Sequence, residues 1–520
     1  MTDKDNSNII INGKRDDEKE NQNYILSNKN EEKLSLRKKK INLILKQKRS
    51  INKAISEYDL KNILPEQQFK IENFANSYSK IIEYLTSNNI DLISYCLFLI
   101  KVYFCYNEPN EKDQHLIIET KFFDILYNIG NNLLSEKKEN IIEYILCILI
   151  NIQIYSEGNN EYFKELYREK YINFYFNCVM ENKDTVSQII KIVYFLLDNF
   201  NGINLIILRS NLFKYILKYA ENQKQYYEEE KENLLNLFSH ITNLINYEDL
   251  LNKDDINIIN TCLNLIIQEI YGSTNSLLKI TYEALFNLSY LDDKFEFNKK
   301  LINEGVTLKI MKMKFCSMKV NEDSKSIMIN ALKILANNLT ATDKEAEIIY
   351  ERNIIDYYNN ILNSFDDDKK VIEIILRGIS NICGGSKREI IKDSIIWNQV
   401  KIEKYLNLND EIKSLYITIL RYWIYNADFD KLKFVYYKKI LQYFMYLFTI
   451  TDLNEYISTK ILKIIDIYLR KFQNNKNCEE YMIIYKKFEE LFYFSDKIYS
   501  FQKNKQVIDN IINNIKNNYC

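Results

Sequence analysis

The chain has 520 residues, too many for one compact core, yet only 9 glycines and 2 prolines. So few turn residues exclude a multi-domain β protein and any collagenous or proline-rich chain, while 47 % hydrophobic residues suffice to bury a core over most of the length. A net charge of −1 gives the whole chain no field that would recruit nucleic acid or a membrane surface.

Residues 1–32 are polar and almost free of aromatics, so a disordered tail rather than a secretory signal is expected there. The next block differs. Between Lys33 and Ser56 lie Lys33, Arg37, Lys38, Lys39, Lys40, Lys46, Lys48, Arg49 and Lys53 without a single acidic residue, interleaved with Leu34, Leu36, Ile41, Leu43, Ile44, Leu45 and Ile51. That is the pattern of a basic amphipathic helix. A solvated face, a membrane-surface or calmodulin-type segment, and a segment for an acidic protein partner all fit this composition. A basic segment and linker is therefore expected over 33–75, followed by a repeat array over 76–515.

From about Asn76 onward, apolar residues recur at three- and four-residue spacing. Ile141 to Gln153, Ile189 to Asn199, Leu234 to Ile245 and Ile327 to Leu339 are predicted helices. The longest apolar runs, such as Leu92 to Ile100, fall short of the roughly 18 residues of a membrane span. One helix type repeats. It ends in a small or polar residue followed by a polar loop, at Asn151, Asp198, Asn243, Tyr290, Asn337, Asn381 and Asn426, with spacings of 47, 45, 47, 47, 44 and 45 residues. The period matches the roughly 40 to 47 residues of HEAT and armadillo repeats and exceeds that of tetratricopeptide or ankyrin repeats. The fold class expected is all-α, an armadillo-repeat right-handed solenoid behind a disordered or helical basic N-terminal segment.

Enzymatic chemistry finds no foothold. The 9 cysteines are scattered without a C-x-x-C pair, and the 2 histidines, His115 and His240, are far apart, so no metal site, cofactor or catalytic pair is expected. Nor is there a glycine-rich phosphate loop.

The repeats from Ala284 to Asp293, Ala331 to Asp343 and Ile375 to Gly385, together with the turn Asn107 to Asn110 and the final segment Tyr485 to Ile515, resemble the importin-alpha family. Leu36-Arg37-Lys38 and, further on, Lys48-Arg49 resemble that family's importin-beta-binding segment. The resemblance implies a nuclear import adaptor shuttling between cytoplasm and nucleus. Arg37, Lys38, Lys39, Lys40, Lys46, Lys48 and Arg49 would bind importin-beta, and the C-terminal repeat an export receptor; neither membrane nor nucleic acid would be bound directly. It also implies a peptide groove. Asn151, Asp198, Asn243, Asn337, Asn381 and Asn426 would clamp the backbone of a basic nuclear localisation signal, because an amide both donates and accepts. Tyr194, Phe286, Tyr290 and Tyr422 would supply aromatic faces for lysine and arginine stems, Asp293 and Asp343 charge partners, and Lys333 would stand for a family arginine.

The family's tryptophans are missing. One turn before each ladder position stand Cys147, Tyr194, Ser239, Phe286, Lys333, Arg377 and Tyr422, and the chain's 2 tryptophans, Trp397 and Trp423, fall out of register. Arg377 places a positive charge where a cationic guest would sit. Two classes remain open in the sequence: an import adaptor with a weakened, more selective groove, or an armadillo scaffold that has lost classical signal binding and holds another partner.

Overall fold

The computed structural model describes residues 69–134, 139–155, 166, 168–199, 203–222, 228–243, 249–271, 274–291, 296–317, 321–339, 343–385, 388–425, 435, 455–472 and 486. The expected tail, the basic residues from Lys33 to Lys53, Asp293, Asn426 and, apart from residue 486, the segment Tyr485 to Ile515 lie outside them. No strand occurs among the described residues, and none of their helices is long and apolar enough to cross a membrane. The chain forms two compact units, residues 1–240 and 241–520.

The first unit opens with α1 (Phe74–Leu85) and α2 (Ile90–Tyr106). Phe74 is fully buried against the rings of Phe104 and Phe122. The repeat begins with α3 (Glu111–Glu119), α4 (Phe122–Leu134) and the long α5 (Glu139–Tyr155). Asn110 starts α3 with a capping box: its side chain accepts from Asp113 N–H, and the Asp113 carboxylate accepts from Asn110 N–H. The Asn107 to Asn110 turn is therefore a helix-entry device. Next come α6 (Glu169–Glu181) and α7 (Val186–Asn199), then α8 (Asn204–Arg209), α9 (Asn211–Asn222) and α10 (Glu228–Thr242). The long helices α2, α5 and α7 pack side by side.

The second unit begins with α11 (Lys253–Glu269) and α12 (Asn275–Ser289). Two complete three-helix repeats follow: α13 (Phe297–Asn303), α14 (Val306–Lys312) and α15 (Glu322–Asn338), then α16 (Asp343–Tyr350), α17 (Ile354–Ser364) and α18 (Lys369–Gly384). In the next period short 3-10 turns, Arg388–Asp393 and Ile395–Trp397, precede α19 (Gln399–Leu406) and the long α20 (Asp410–Tyr425); α21 (Glu455–Phe472) comes last among the described helices. The long helices α12, α15, α18, α20 and α21 pack each on the next. Trp397 and Trp423, with ring centroids 6.0 Å apart, are buried core residues between the 3-10 segment and α20.

A recurring corner makes the repeat. The junction between the two short helices passes through the left-handed region at Lys121 (φ 53°), Gly305 (φ 75°) and Asn353 (φ 56°), which lets the chain reverse within a few residues. Glycine is needed for another reason at Gly378 on α18, where a Cβ would lie 2.5 Å from the Tyr358 hydroxyl of α17.

The predicted helices are present with shifted bounds. Ile189–Asn199 falls in α7, α15 ends at Asn338, one residue before Leu339, and α10 ends at Thr242, while Ile245 lies outside the described residues. Asn151 does not end its helix, because α5 continues to Tyr155.

Candidate functional site

The ladder positions lie near the C-terminal ends of the long helices. In the second unit they form a continuous row: Tyr290 caps α12, Asn337 is in the last turn of α15 and Asn381 in the last turn of α18. All three are half-buried. One turn earlier on the same helices stand Phe286, Lys333 and Arg377, and Tyr422 continues that row on α20, 38 % exposed. Helical spacing of four residues puts both rows on one face.

The asparagines reach backward along the chain. Asn337 Nδ2 donates to Ser289 Oγ at 3.0 Å, and Ser289 Oγ donates to the Phe286 carbonyl at 2.8 Å. Asn381 Nδ2 donates to the Ala336 carbonyl at 2.8 Å. Each amide thus ties the end of one long helix to the previous one, and that of Asn381 satisfies a carbonyl that the C-terminal turn of α15 leaves over. In the first unit Asn151 is buried, and its Oδ1 has no hydrogen-bond partner among the described residues. Asn243 follows α10 and is exposed. Asp198 and Asp343 lie on α7 and α16, but their side chains lie outside the described set.

The aromatic positions differ in what they touch. Tyr194 is buried, its ring 5.1 Å from Phe195 and 5.3 Å from His240. Cys147, at the same register position on α5, has its thiol pushed by burial up to about 11. Phe286 sits 6.2 Å from Tyr290, and Lys333 Nζ lies 4.4 Å above the Phe286 ring centroid. Lys333 is only 5 % exposed, so its ammonium rests on the ring in a largely desolvated setting.

Arg377 is held by two carboxylates. Its Nε donates to Glu373 Oε1 at 3.0 Å and its Nη2 to Glu411 Oε1 on α20 at 3.0 Å. Burial is the largest influence on Glu373; Arg377 opposes it and Glu411 adds to it, and its carboxyl is raised to about 7. The sequence shows Arg377 in the register row but does not by itself assign its acidic partners. The i, i+4 pair Glu373–Arg377 was a readable signal; Glu411, on the following long helix, became visible only through packing.

Lys101 on α2 has the same fate. Its Nζ is 3.1 Å from Glu143 and 4.8 Å from the Tyr144 ring centroid, both on α5. Ion pairs of this kind recur: Lys191–Glu229 at 2.7 Å, Lys279–Asp323 at 3.0 Å and Lys325–Asp368 at 2.6 Å. In all of them, and in Arg377–Glu411, the cation stands on the earlier long helix and the acid at the start of the next. Among the described residues no group of three or more His, Cys, Asp or Glu is placed to hold a metal ion.

Most of the chain aligns with an engineered protein of known crystal structure, at 13 % identity over 84 % of this chain and 99 % of that one, with a TM-score of 0.63. The fold is an armadillo-type all-α solenoid. The repeat of two short helices and one long helix carries that assignment, seen in full at α3–α5, α8–α10, α13–α15 and α16–α18. Two designed armadillo repeat proteins, one in complex with the peptide (KR)4, align at 16 % identity over 46 % and 48 % of this chain and 94 % and 97 % of theirs, with TM-scores of 0.38 and 0.39. No protein-family model matches the chain, and no curated protein sequence matches it.

Proposed function

We propose that the chain is a protein-binding armadillo-type scaffold that serves as a nuclear import adaptor. The basic block from Lys33 to Lys53 engages importin-beta, and an extended cargo segment lies along the rows of the second unit. The observation that carries the reading is the in-register double row, Phe286–Lys333–Arg377–Tyr422 beside Tyr290–Asn337–Asn381, on consecutive long helices. Such a face offers side-chain amides at repeat spacing to the backbone of an extended peptide. The protein works by binding alone, shuttles between cytoplasm and nucleus, and engages an export receptor through its C-terminal segment.

The double row also favours a second reading. Asn337 and Asn381 already donate to the neighbouring helix, and Lys333 and Arg377 bring cations to positions where a basic guest would need aromatic or acidic partners. These features suit a scaffold whose partner is not a classical basic signal. A capture experiment separates the two. Immobilised importin-beta should retain the full chain and release a form lacking residues 1–56. Retention of the shortened form, or failure to retain the full chain, would sink the adaptor reading and leave the scaffold.

A further inference from the structure

Lys333 and Arg377 are the two basic members of the register row Cys147, Tyr194, Ser239, Phe286, Lys333, Arg377 and Tyr422, and Lys101 stands one period, 46 residues, before Cys147 on α2. None of the three cations simply projects into solvent. Lys101 is paired with Glu143 over Tyr144, Lys333 covers Phe286, and Arg377 is forked between Glu373 and Glu411. These are the contacts with which a protein receives the lysines and arginines of a bound peptide: an aromatic face for the ammonium, a carboxylate pair for the guanidinium.

We propose that Lys333 and Arg377 are specificity-determining resident guests, each filling from within the chain the seat that a peptide's lysine or arginine would take. The inference deepens the proposed function and rests on it. A segment crossing α15 and α18 must therefore present non-basic side chains there, because a basic residue would meet an occupied ring, engaged carboxylates and a like charge. Removing the guest opens the seat. Without Arg377, Glu373 and Glu411 remain facing one another on adjacent helices, Glu373 with its side chain only 10 % exposed, and have the donor requirement that a guanidinium satisfies. Without Lys333, the half-buried Phe286 ring is open to a cation.

The test is a titration of the full chain with a fluorescent octapeptide of alternating Lys and Arg. Arg377→Gln and Lys333→Met, which remove the cation but keep an unbranched stem, are expected to bind it about ten-fold more tightly than the wild type, in line with the size of one desolvated cation contact. Arg377→Lys keeps a cation in place and is expected to bind as the wild type. Should Arg377→Gln fail to fold, Lys333→Met decides alone. Folded variants that bind no more tightly than the wild type, or an equal gain in Arg377→Lys, overturn the inference. Importin-beta capture is measured on the same proteins. Normal capture without a gain in peptide affinity overturns the resident guests alone, whereas loss of capture by the wild type overturns the adaptor reading.

Discussion

The side-chain amide of Asn381 donates to the main-chain carbonyl of Ala336, 2.8 Å away on the preceding long helix. That contact fixes the spacing between the ends of α15 and α18 while the second amide atom, Oδ1, stays on the same half-buried side chain. Because Nδ2–H is the donor, Asn381→Asp should be as harmful as Asn381→Ala. Each should cost about 1 kcal/mol and lower the thermal midpoint. An aspartate variant melting with the wild type would show that the tie is dispensable.

Glu373 makes stability depend on pH. Its carboxyl is raised from 4.5 to about 7, first by burial. The folded chain thus holds this proton more tightly than the unfolded chain, so its contribution is complete below about 4.5 and is lost as pH rises through about 7. Glu373→Gln keeps the neutral form at every pH. Its melting midpoint should gain on that of the wild type between pH 5 and pH 8. A difference that does not change over this range would refute the assignment.

Gly378 and Tyr358 form a second coupled pair. A methyl group at 378 would lie 2.5 Å from the Tyr358 hydroxyl and 3.0 Å from two ring carbons, so Gly378→Ala should destabilise by roughly 1–3 kcal/mol. The hydroxyl is buried without a hydrogen-bond partner among the described residues, so Tyr358→Phe should be neutral or stabilising. The double variant should recover part of the loss, because the closest of the three contacts disappears. Strict additivity in denaturant melts would show that the two residues do not share the constraint.

The basic block has its own expected outcome. Reversing the charge of Arg37, Lys38, Lys39 and Lys40 should weaken importin-beta binding and flatten its dependence on salt, since those charges are the source of the screened attraction. Measuring affinity at two salt concentrations tests this; an unchanged salt slope would rule the block out as the contact.

The repeat period was legible because it rests on hydrophobic spacing, which packing enforces: Ile189–Asn199 and all of Ile327–Leu339 but its last residue fall on long helices whose apolar stripes are buried. The sequence also placed Phe286, Lys333, Arg377 and Tyr422 in one register. It did not show what those side chains touch. An asparagine at the end of a helix reads the same whether its amide faces a guest or, as at Asn337, the Ser289 hydroxyl one repeat back. Many other asparagines are caps, as Asn73, Asn89, Asn252, Asn321 and Asn398 show by accepting from the first N–H groups of their helices. The partners of Lys333 and Arg377 depend on how neighbouring long helices align, and sequence periodicity does not encode that distance.

The common direction of the five ion pairs between long helices gives the array a head and a tail. Helices α15 and α18 each extend a positive arm forward and receive one from behind, like tiles that interlock only in sequence. Lys279 and Lys325 both reach an acid at the entrance of the following helix, Asp323 and Asp368. Excising one whole period between them would present Asp368 to Lys279 and restore the joint, whereas removing half a period would bring two unlike edges together. A chain built this way can lengthen or shorten by duplication or loss of complete tiles without redesigning a seam, and its length is open to change in steps of about 45 residues.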